Sequence, residues 1–445
     1  MITLRYEKGT IAITSTFKLP HTVWDPRSGD YRCLGMFYND VREYLNLSKL
    51  EYKDSVLDLL PVPKITCSVT LRDYQKAALD AWLGTKNGVL VLPTGAGKTV
   101  IGMKAISVLN VPTLVVVPTL ELVKQWKKEL ESTCGIEVGS YSSEGHLLKP
   151  ITVGTYDTAY LRAEELGNKF LLLLFDEVHH LPSPGYANIA ELFVAPYRLG
   201  LTATYEREDG LHKELERLIG GKVYEIGIDE LKGTHLAEYT TKKIVTDLTE
   251  DERAEYEKYH ALFTDFLKER HITLRSPKDF RLLVMRSGRD PMAREALLAR
   301  NRARHIALNS HSKLNVLSEI LDTHFDERMI IFTEHNLLVH AISREFLIPA
   351  ITHTTQKEER AEILDNFRTG RYRVIVTSKV LEEGIDVPEA SVGVILSGSG
   401  SKREYKQRLG RILRKREGKL AILYEIVSKG TTEINIARRR KHATE

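Results

Sequence analysis

Leu92-Pro93-Thr94-Gly95-Ala96-Gly97-Lys98-Thr99 is entered from the apolar run Val89-Leu90-Val91. It is left through Val100, Ile101, Met103 and Ala105, which fall at helical spacing. The order is strand, loop, helix. Gly95 and Gly97 permit backbone angles that turn successive amides, those of Thr94 and Ala96 among them, into one concavity. The helix opening at Lys98 adds its positive end. Such a loop holds phosphate: Lys98 would reach the β and γ phosphates of a nucleotide, and Thr99 would hold Mg²⁺. Leu92 stands where the common G-x-x-x-x-G-K-[ST] pattern has its first Gly, so the rest of the chain has to carry part of the reading.

From Thr70 to Gly221, strand-like apolar runs alternate with helical patterns, which predicts a parallel sheet covered on both faces. The runs are Val89 to Leu92, Thr113 to Val117, Ile151 to Gly154, Leu171 to Phe175 and Arg198 to Leu201. A second alternating block, Lys313 to Ser428, has strand candidates at Met329 to Phe332, Arg373 to Val376, Val392 to Leu396 and Leu420 to Tyr424. Ahead of both, Ile2 to Tyr6 and Thr10 to Thr14 flank the turn Glu7-Lys8-Gly9. Tyr31 to Tyr38 reads as a further β-rich run, and Trp24, Tyr31 and Phe37 as core or interface residues. Pro61-Val62-Pro63 marks a linker. The fold class is therefore α/β, with domains expected at residues 1–62, 66–228, 250–310 and 311–445.

Between the two blocks lies a helix-prone insertion, Asp251 to Ser310. Its later part carries Arg275, Lys278, Arg281, Arg286, Arg289, Arg294, Arg300, Arg302 and Arg304 against Asp279, Asp290 and Glu295. A solvated helical face is the plain reading of such a run, and a contact with a phosphate backbone, through residues such as Arg281 and Arg286, is the other. A basic run near the C-terminus, Arg438-Arg439-Arg440-Lys441, leaves the same two readings open.

The 445 residues are 42% hydrophobic and 28% charged, ordinary for globular domains, and the net charge of +4 neither demands nor excludes a polyanionic partner. Cys33, Cys67 and Cys134 are too few and too scattered for a disulfide framework or a cysteine metal cluster, which suggests a reducing interior. The first ten residues lack a signal-peptide pattern, and the run Phe170 to Phe175 is too short to span a bilayer. The expectation is a soluble, cytoplasmic protein.

Leu171-Leu172-Leu173-Leu174-Phe175-Asp176-Glu177-Val178-His179 is an apolar strand that ends in two acids and a histidine. In a parallel sheet that end lies at the same edge as the phosphate loop. An Asp-Glu pair there is also a common helix cap. Set beside Lys98-Thr99, it reads instead as a hydrolytic pair, with Asp176 on Mg²⁺ and Glu177 orienting and deprotonating the attacking water.

Asp176-Glu177-Val178-His179, with Leu201-Thr202-Ala203-Thr204, resembles motifs II and III of superfamily 2 helicases, a family that tolerates Leu92 at its position. Leu71-Arg72-Asp73-Tyr74-Gln75 resembles the adenine-reading Q motif, and Val117-Pro118-Thr119-Leu120 and Gly154-Thr155-Tyr156 resemble strand-contacting segments. Ile331-Phe332-Thr333, Glu383-Gly384-Ile385-Asp386 and Gln407-Arg408-Leu409-Gly410-Arg411-Ile412-Leu413-Arg414 resemble motifs IV, V and VI. Arg207-Glu208-Asp209, placed just after motif III and ahead of the helical insertion, makes the chain similar to the archaeal XPB type within that superfamily.

The resemblance implies two RecA-like parallel-sheet lobes, a small N-terminal α/β domain with a damage-recognition role, and a thumb-like helical insertion. It implies nucleotide contacts from Arg72, Gln75 and Asp386, and catalytic roles for Gln407, Arg411 and Arg414 beside Lys98 and Glu177. His179, Thr202, Thr204 and Gly384 would couple the site to motion, and Thr119, Thr155, Arg207, Glu208 and Asp209 would touch DNA. The activity implied is ATP-dependent translocation on duplex DNA in repair or transcription, in a prokaryotic nucleoid, with a nuclease as partner. A superfamily 2 RNA helicase and a slow, ATP-switched scaffold remain as alternatives.

Overall fold

A strand buried on both faces needs an apolar residue at nearly every position rather than at every second one. Thr113–Val117 and Leu172–Asp176 meet that condition, being buried throughout, and both lie inside a sheet. The computed structural model describes residues 1–207, 209–231, 239–378, 390–397 and 421–441. These form two compact units, one running to residue 231 and the other from residue 239 onward.

The first unit opens with a small sheet of β1 (Ile2–Glu7), β2 (Thr10–Thr14), β3 (Val23–Asp25), β4 (Asp30–Leu34) and β5 (Tyr52–Ser55). Their order is β3-β4-β2-β1-β5. The β1-β2 hairpin pairs Glu7 with Thr10, as the Glu7-Lys8-Gly9 turn predicts, and β5 runs parallel to β1. The β-rich run expected from Tyr31 to Tyr38 stops at Leu34, where a short turn leads into the helix Tyr38–Leu47. That helix buries Tyr38, Val41 and Leu45 against Leu4, Ile11 and Ile13. Trp24, read as core or interface, is half exposed on the edge strand β3, because its neighbour across the sheet, Tyr31, offers it only a ring edge.

This sheet is fastened to the larger one. The Tyr6 hydroxyl donates to the carbonyls of Ala163 (3.1 Å) and Leu192 (3.3 Å), Asn168 donates to the Val56 carbonyl (2.9 Å), and Lys169 pairs with Asp58 (2.6 Å). Gly35 lies so close to the Leu192 carbonyl that a Cβ would overlap it.

The larger sheet contains β6 (Asn87–Val91), β7 (Thr113–Val117), β8 (Gly139–Ser142), β9 (Gly145–Leu147), β10 (Ile151–Thr155), β11 (Leu172–Asp176), β12 (Tyr197–Thr202) and β13 (Lys222–Glu225). Its order is β13-β6-β12-β11-β7-β10-β8-β9, and every pairing is parallel except β8 with β9. The five strands expected from apolar runs form its centre. β8, β9 and β13 lie at its margins, where short and half-polar strands carry little pattern.

The second unit has an all-parallel sheet of β14 (Tyr239–Thr246), β15 (Met329–Phe332), β16 (Ala350–Ile351), β17 (Val374–Thr377), β18 (Val392–Ile395) and β19 (Ala421–Ser428), in the order β14-β19-β18-β15-β17-β16. β14 precedes the helical insertion, so the sheet begins well before residue 311, where the second lobe was expected to start. The insertion itself is three helices, Glu250–Glu269, Pro277–Ser287 and Pro291–Leu308. Lys313 and Glu433, both without exposure, form a buried ion pair at 2.7 Å. No described helix is long and apolar enough to cross a membrane.

The cysteine reading needs correction. Cys67 and Cys134 are joined by a disulfide across 67 residues of sequence, because the segment leading into the first lobe runs beside the end of the helix Leu120–Cys134, with Ser68 donating to the Thr133 carbonyl. Separation along the chain was no measure of separation in space, and the argument for a reducing interior loses its basis. Closing a loop of that length stabilises by about 4 kcal/mol through the unfolded state. Cys134→Ser, or full reduction, is therefore expected to lower first-unit stability by several kcal/mol, on the order of the same figure, in denaturant titrations run with and without reductant; equal midpoints would refute it.

Candidate active site

The loop Leu92–Thr99 leaves the carboxyl end of β6, where Leu92 N donates to the Thr202 carbonyl (2.9 Å), and enters the helix Lys98–Leu109. Gly95 and Gly97 have φ of 86° and 76°, in the left-handed region that only glycine adopts freely. Two side chains fix the loop from behind: the Tyr74 hydroxyl and Gln75 Nε2 both donate to the Ala96 carbonyl at 2.9 Å. Gln75 is itself oriented by the Arg72 amide, which donates to its Oε1 (2.9 Å). A Cβ on Gly97 would lie 2.5 Å from Gln75 Nε2, so a larger residue there would push Gln75 off the loop. The buried Thr94 Oγ1 has no partner among the described residues, and Lys98 Nζ rests on the Leu92 carbonyl at 3.4 Å. A loop turned by two positive-φ glycines, with an unsatisfied hydroxyl and a lightly held ammonium, fits a nucleotide phosphate.

Asp176 ends β11 and is almost wholly buried. Its Oδ2 accepts from the Trp126 indole (2.8 Å) and its Oδ1 from the Glu177 amide (3.0 Å). Burial pushes the Asp176 carboxyl up to about 6. The Glu177 charge adds to this, while the Trp126 bond and the Lys98 charge oppose it. That influence of Lys98 ties the loop and the acidic strand end into one electrostatic site. The Tyr156 hydroxyl donates to the Asp176 carbonyl (3.1 Å), and burial holds its pKa well above the ordinary value. Among the described residues no group of three or more His, Cys, Asp or Glu side chains is placed to hold a metal ion. A divalent cation here would draw most of its oxygens from phosphate and water.

Glu177 has φ of 49°, which turns the chain into a short helical turn, Val178–His180, and brings His179 back over β12. His179 Nδ1 lies 3.0 Å from Thr202 Oγ1 and 3.5 Å from Glu177 Oε2. The Thr202 hydroxyl donates to the Thr204 carbonyl (2.9 Å) and accepts from the Thr204 amide (3.1 Å). With that hydroxyl proton spent, the imidazole is the donor to Thr202. The Thr204 Oγ1 is buried with no partner among the described residues.

Arg207 grips Asp209 through two nitrogens, at 3.0 and 2.7 Å, and donates to the His179 carbonyl and to Ser183 Oγ. The Arg207 bond draws the Asp209 carboxyl down to about 2. Arg207, expected on DNA, thus has two nitrogens on Asp209 of its own loop and the third on the His179 carbonyl and Ser183. Thr119 and Thr155, expected to touch DNA as well, cap the helices Leu120–Cys134 and Tyr156–Leu161, accepting from the amides of Leu122 (3.3 Å) and Thr158 (3.2 Å). Arg281 and Arg286 are exposed on the helix Pro277–Ser287, with Arg286 3.4 Å from Asp290. Glu208, Gly384, Asp386, Gln407, Arg411 and Arg414 lie outside the described residues.

Residues 4–56 match the model described as the xeroderma pigmentosum group B helicase damage recognition domain, residues 68–207 the type III restriction enzyme res subunit, and residues 312–416 the helicase conserved C-terminal domain. A protein of Sulfurisphaera tokodaii called DNA 3'-5' translocase XPB2 is 47% identical over 441 residues, covering 99% of this chain and 100% of that one. This chain belongs to the XPB family of superfamily 2 helicases.

A Mycobacterium tuberculosis protein of the XPB family, called DNA 3'-5' helicase XPB, is 32% identical, with 83% of this chain and 63% of that one covered. The Hef helicase domain of Pyrococcus furiosus shares the fold alone: the TM-score is 0.56 at 20% identity, over 83% of this chain and 98% of that one. As a member of the XPB family the chain is a helicase-type enzyme and binds nucleotide.

Sequence reading gives no sign of Trp126, which donates to the Asp176 carboxylate, and names Tyr156, which donates to the Asp176 carbonyl, only within the Gly154-Thr155-Tyr156 segment. Trp126 shares a helix face with Val123 and Leu130, a pattern that signals only core. Tyr74 was quoted in its motif without a role. In this XPB-family chain, Thr202→Val is expected to remove the hydroxyl shared by the His179 ring and the Thr204 amide, at a cost of about 1–3 kcal/mol. Urea unfolding should show that loss, with Thr202→Ser close to the parent.

Proposed function

We propose that this chain is an ATP-dependent translocase on duplex DNA, acting in nucleotide excision repair or transcription. One observation carries the chemistry: the glycine cradle and the Asp176–Glu177 strand end share an edge of one parallel sheet, near enough for the Lys98 charge to act on Asp176. That arrangement supports phosphoryl transfer to water. The substrate class and the 3'-5' direction are taken from the printed names of relatives 47% and 32% identical to the chain.

In this reading the amides of residues 94–99 and the Lys98 ammonium bind the β and γ phosphates of ATP. Thr99 and Asp176 would hold Mg²⁺, which would neutralise charge on the transferred group. Glu177 takes a proton from water as the water oxygen bonds to the γ phosphorus and the bond to the β–γ bridging oxygen breaks, leaving ADP and phosphate. Tyr74 and Gln75 keep the Ala96 carbonyl turned away from the phosphates, and Arg72 places Gln75. His179 and Thr202 carry a change at Glu177 to Thr204, and Arg207 carries it to the loop with Asp209. Asp386, Gly384, Gln407, Arg411 and Arg414 keep the family's roles by motif alone. A nuclease partner and a place beside chromosomal DNA in a prokaryotic cytoplasm complete the proposal.

The test is ATP turnover by the full chain, alone and with duplex DNA, single-stranded DNA or RNA. Duplex DNA is expected to stimulate it most, and Glu177→Gln to lower it about 10²–10⁴-fold while ATP still binds. Greater stimulation by RNA would move the substrate class. Trace turnover with every nucleic acid would replace the motor with an ATP-switched scaffold.

A further inference from the structure

In the second unit, the helices Glu250–Glu269 and Pro291–Leu308 and the C-terminal helix Glu433–Lys441 enclose a cavity of about 360 Å³, within the roughly 300–1,000 Å³ typical of small-molecule sites. Its apolar wall is Phe263, Ala303 and Ile436, and the exposed Asn435 stands at its margin. Arg300 and Arg304, one helical turn apart, both line it.

The charge in this cavity is not balanced. Arg304 spends one nitrogen on Glu334 at 2.7 Å, while its Nε is buried with no partner among the described residues. Arg300 packs its guanidinium over Phe280 at 4.4 Å and over Phe263 at 5.9 Å, with no carboxylate partner among the described residues. Two guanidinium groups thus meet one acid. Burial and the Arg304 charge both lower the Arg300 pKa, as expected for cations held together. The carboxylates of Glu257 and Asp265 line a neighbouring groove, not this cavity.

Paired guanidinium groups suit phosphate, whose oxygens accept several charge-assisted hydrogen bonds. An apolar wall beside them suits the sugar and base. We propose that this cavity binds one nucleoside phosphate unit, its phosphate on Arg300 and Arg304 and its body against Phe263, Ala303 and Ile436. The unit is either a free nucleotide or a single nucleotide of a DNA strand. The site is separate from the Leu92–Thr99 loop, and its occupancy does not depend on turnover.

Calorimetric titration of the full chain with ADP, and anisotropy of a labelled oligothymidylate, test this. If the source is a free nucleotide, ADP titrates two sites: Arg300→Gln and Asn435→Phe each remove one, and Lys98→Ala removes the other. If the source is a strand, ADP titrates one site, and Arg300→Gln and Asn435→Phe each weaken oligothymidylate binding by about tenfold or more. Asn435→Phe adds bulk to the lining at an exposed position, so its folding is not at risk. A single ADP site with oligothymidylate affinity unchanged in both variants overturns the proposal, as does an effect of Arg300→Gln that Asn435→Phe does not reproduce. Duplex-stimulated turnover, measured on the same variants, reports separately on the translocase reading.

Discussion

A carboxyl group enclosed at the end of a sheet strand is costly unless donors reach its oxygens, and at Asp176 two do. The Trp126 indole covers one oxygen and the Glu177 amide the other. The second bond goes with a left-handed turn at Glu177, a conformation that non-glycine residues hold at a cost of order 1–3 kcal/mol. That turn starts the short helix that returns His179 to Thr202, and the His179 carbonyl receives Arg207. The solvation of one acid thus sets the geometry of three motifs that are far apart in the chain. Trp126 couples the same acid to the helix Leu120–Cys134, whose far end carries the disulfide.

What the sequence discloses follows from how strongly burial constrains residue type. Thr113–Val117 and Leu172–Asp176 are covered on both faces and could be read almost to the residue, as could Met329–Phe332. β14, an edge strand with Lys242 and Lys243 near its middle and only one buried residue, carries no such mark; the boundary of the second lobe was misplaced accordingly. In the site, residues that would face the ligand were legible because their types are chemically restricted: glycines where φ is positive, a lysine at a helix start, acids at a strand end. The residues behind them were not. Trp126 and Tyr156 are chosen for shape and one polar atom, and their periodicity matches ordinary core. Arg207 was legible as a motif but not in its partners, since only the folded chain shows its nitrogens spent on Asp209 and on the His179 carbonyl.

The second unit rests on a different solution to a buried charge. Lys313 donates to both Glu433 oxygens and to the Leu396 carbonyl, and Glu433 also accepts from the Ser428 amide. Every strong donor and acceptor of the pair is engaged, the condition under which a buried ion pair is tolerated. The pair joins the first helix after the insertion to the start of the C-terminal helix and to the ends of β18 and β19. The insertion thus lies between β14 and a helix, Ser312–Thr323, that this pair fixes to the ends of β18 and β19 of the same sheet.

The bonds from Tyr6, Asn168 and Lys169, with the close approach at Gly35, leave the small N-terminal sheet no hinge of its own against the first lobe. A load applied to that sheet passes directly to the carbonyls of Ala163 and Leu192, one short helix away from the Asp176 strand. The small sheet and the first lobe thus belong to one compact unit, and any displacement of one against the other has to break these bonds first.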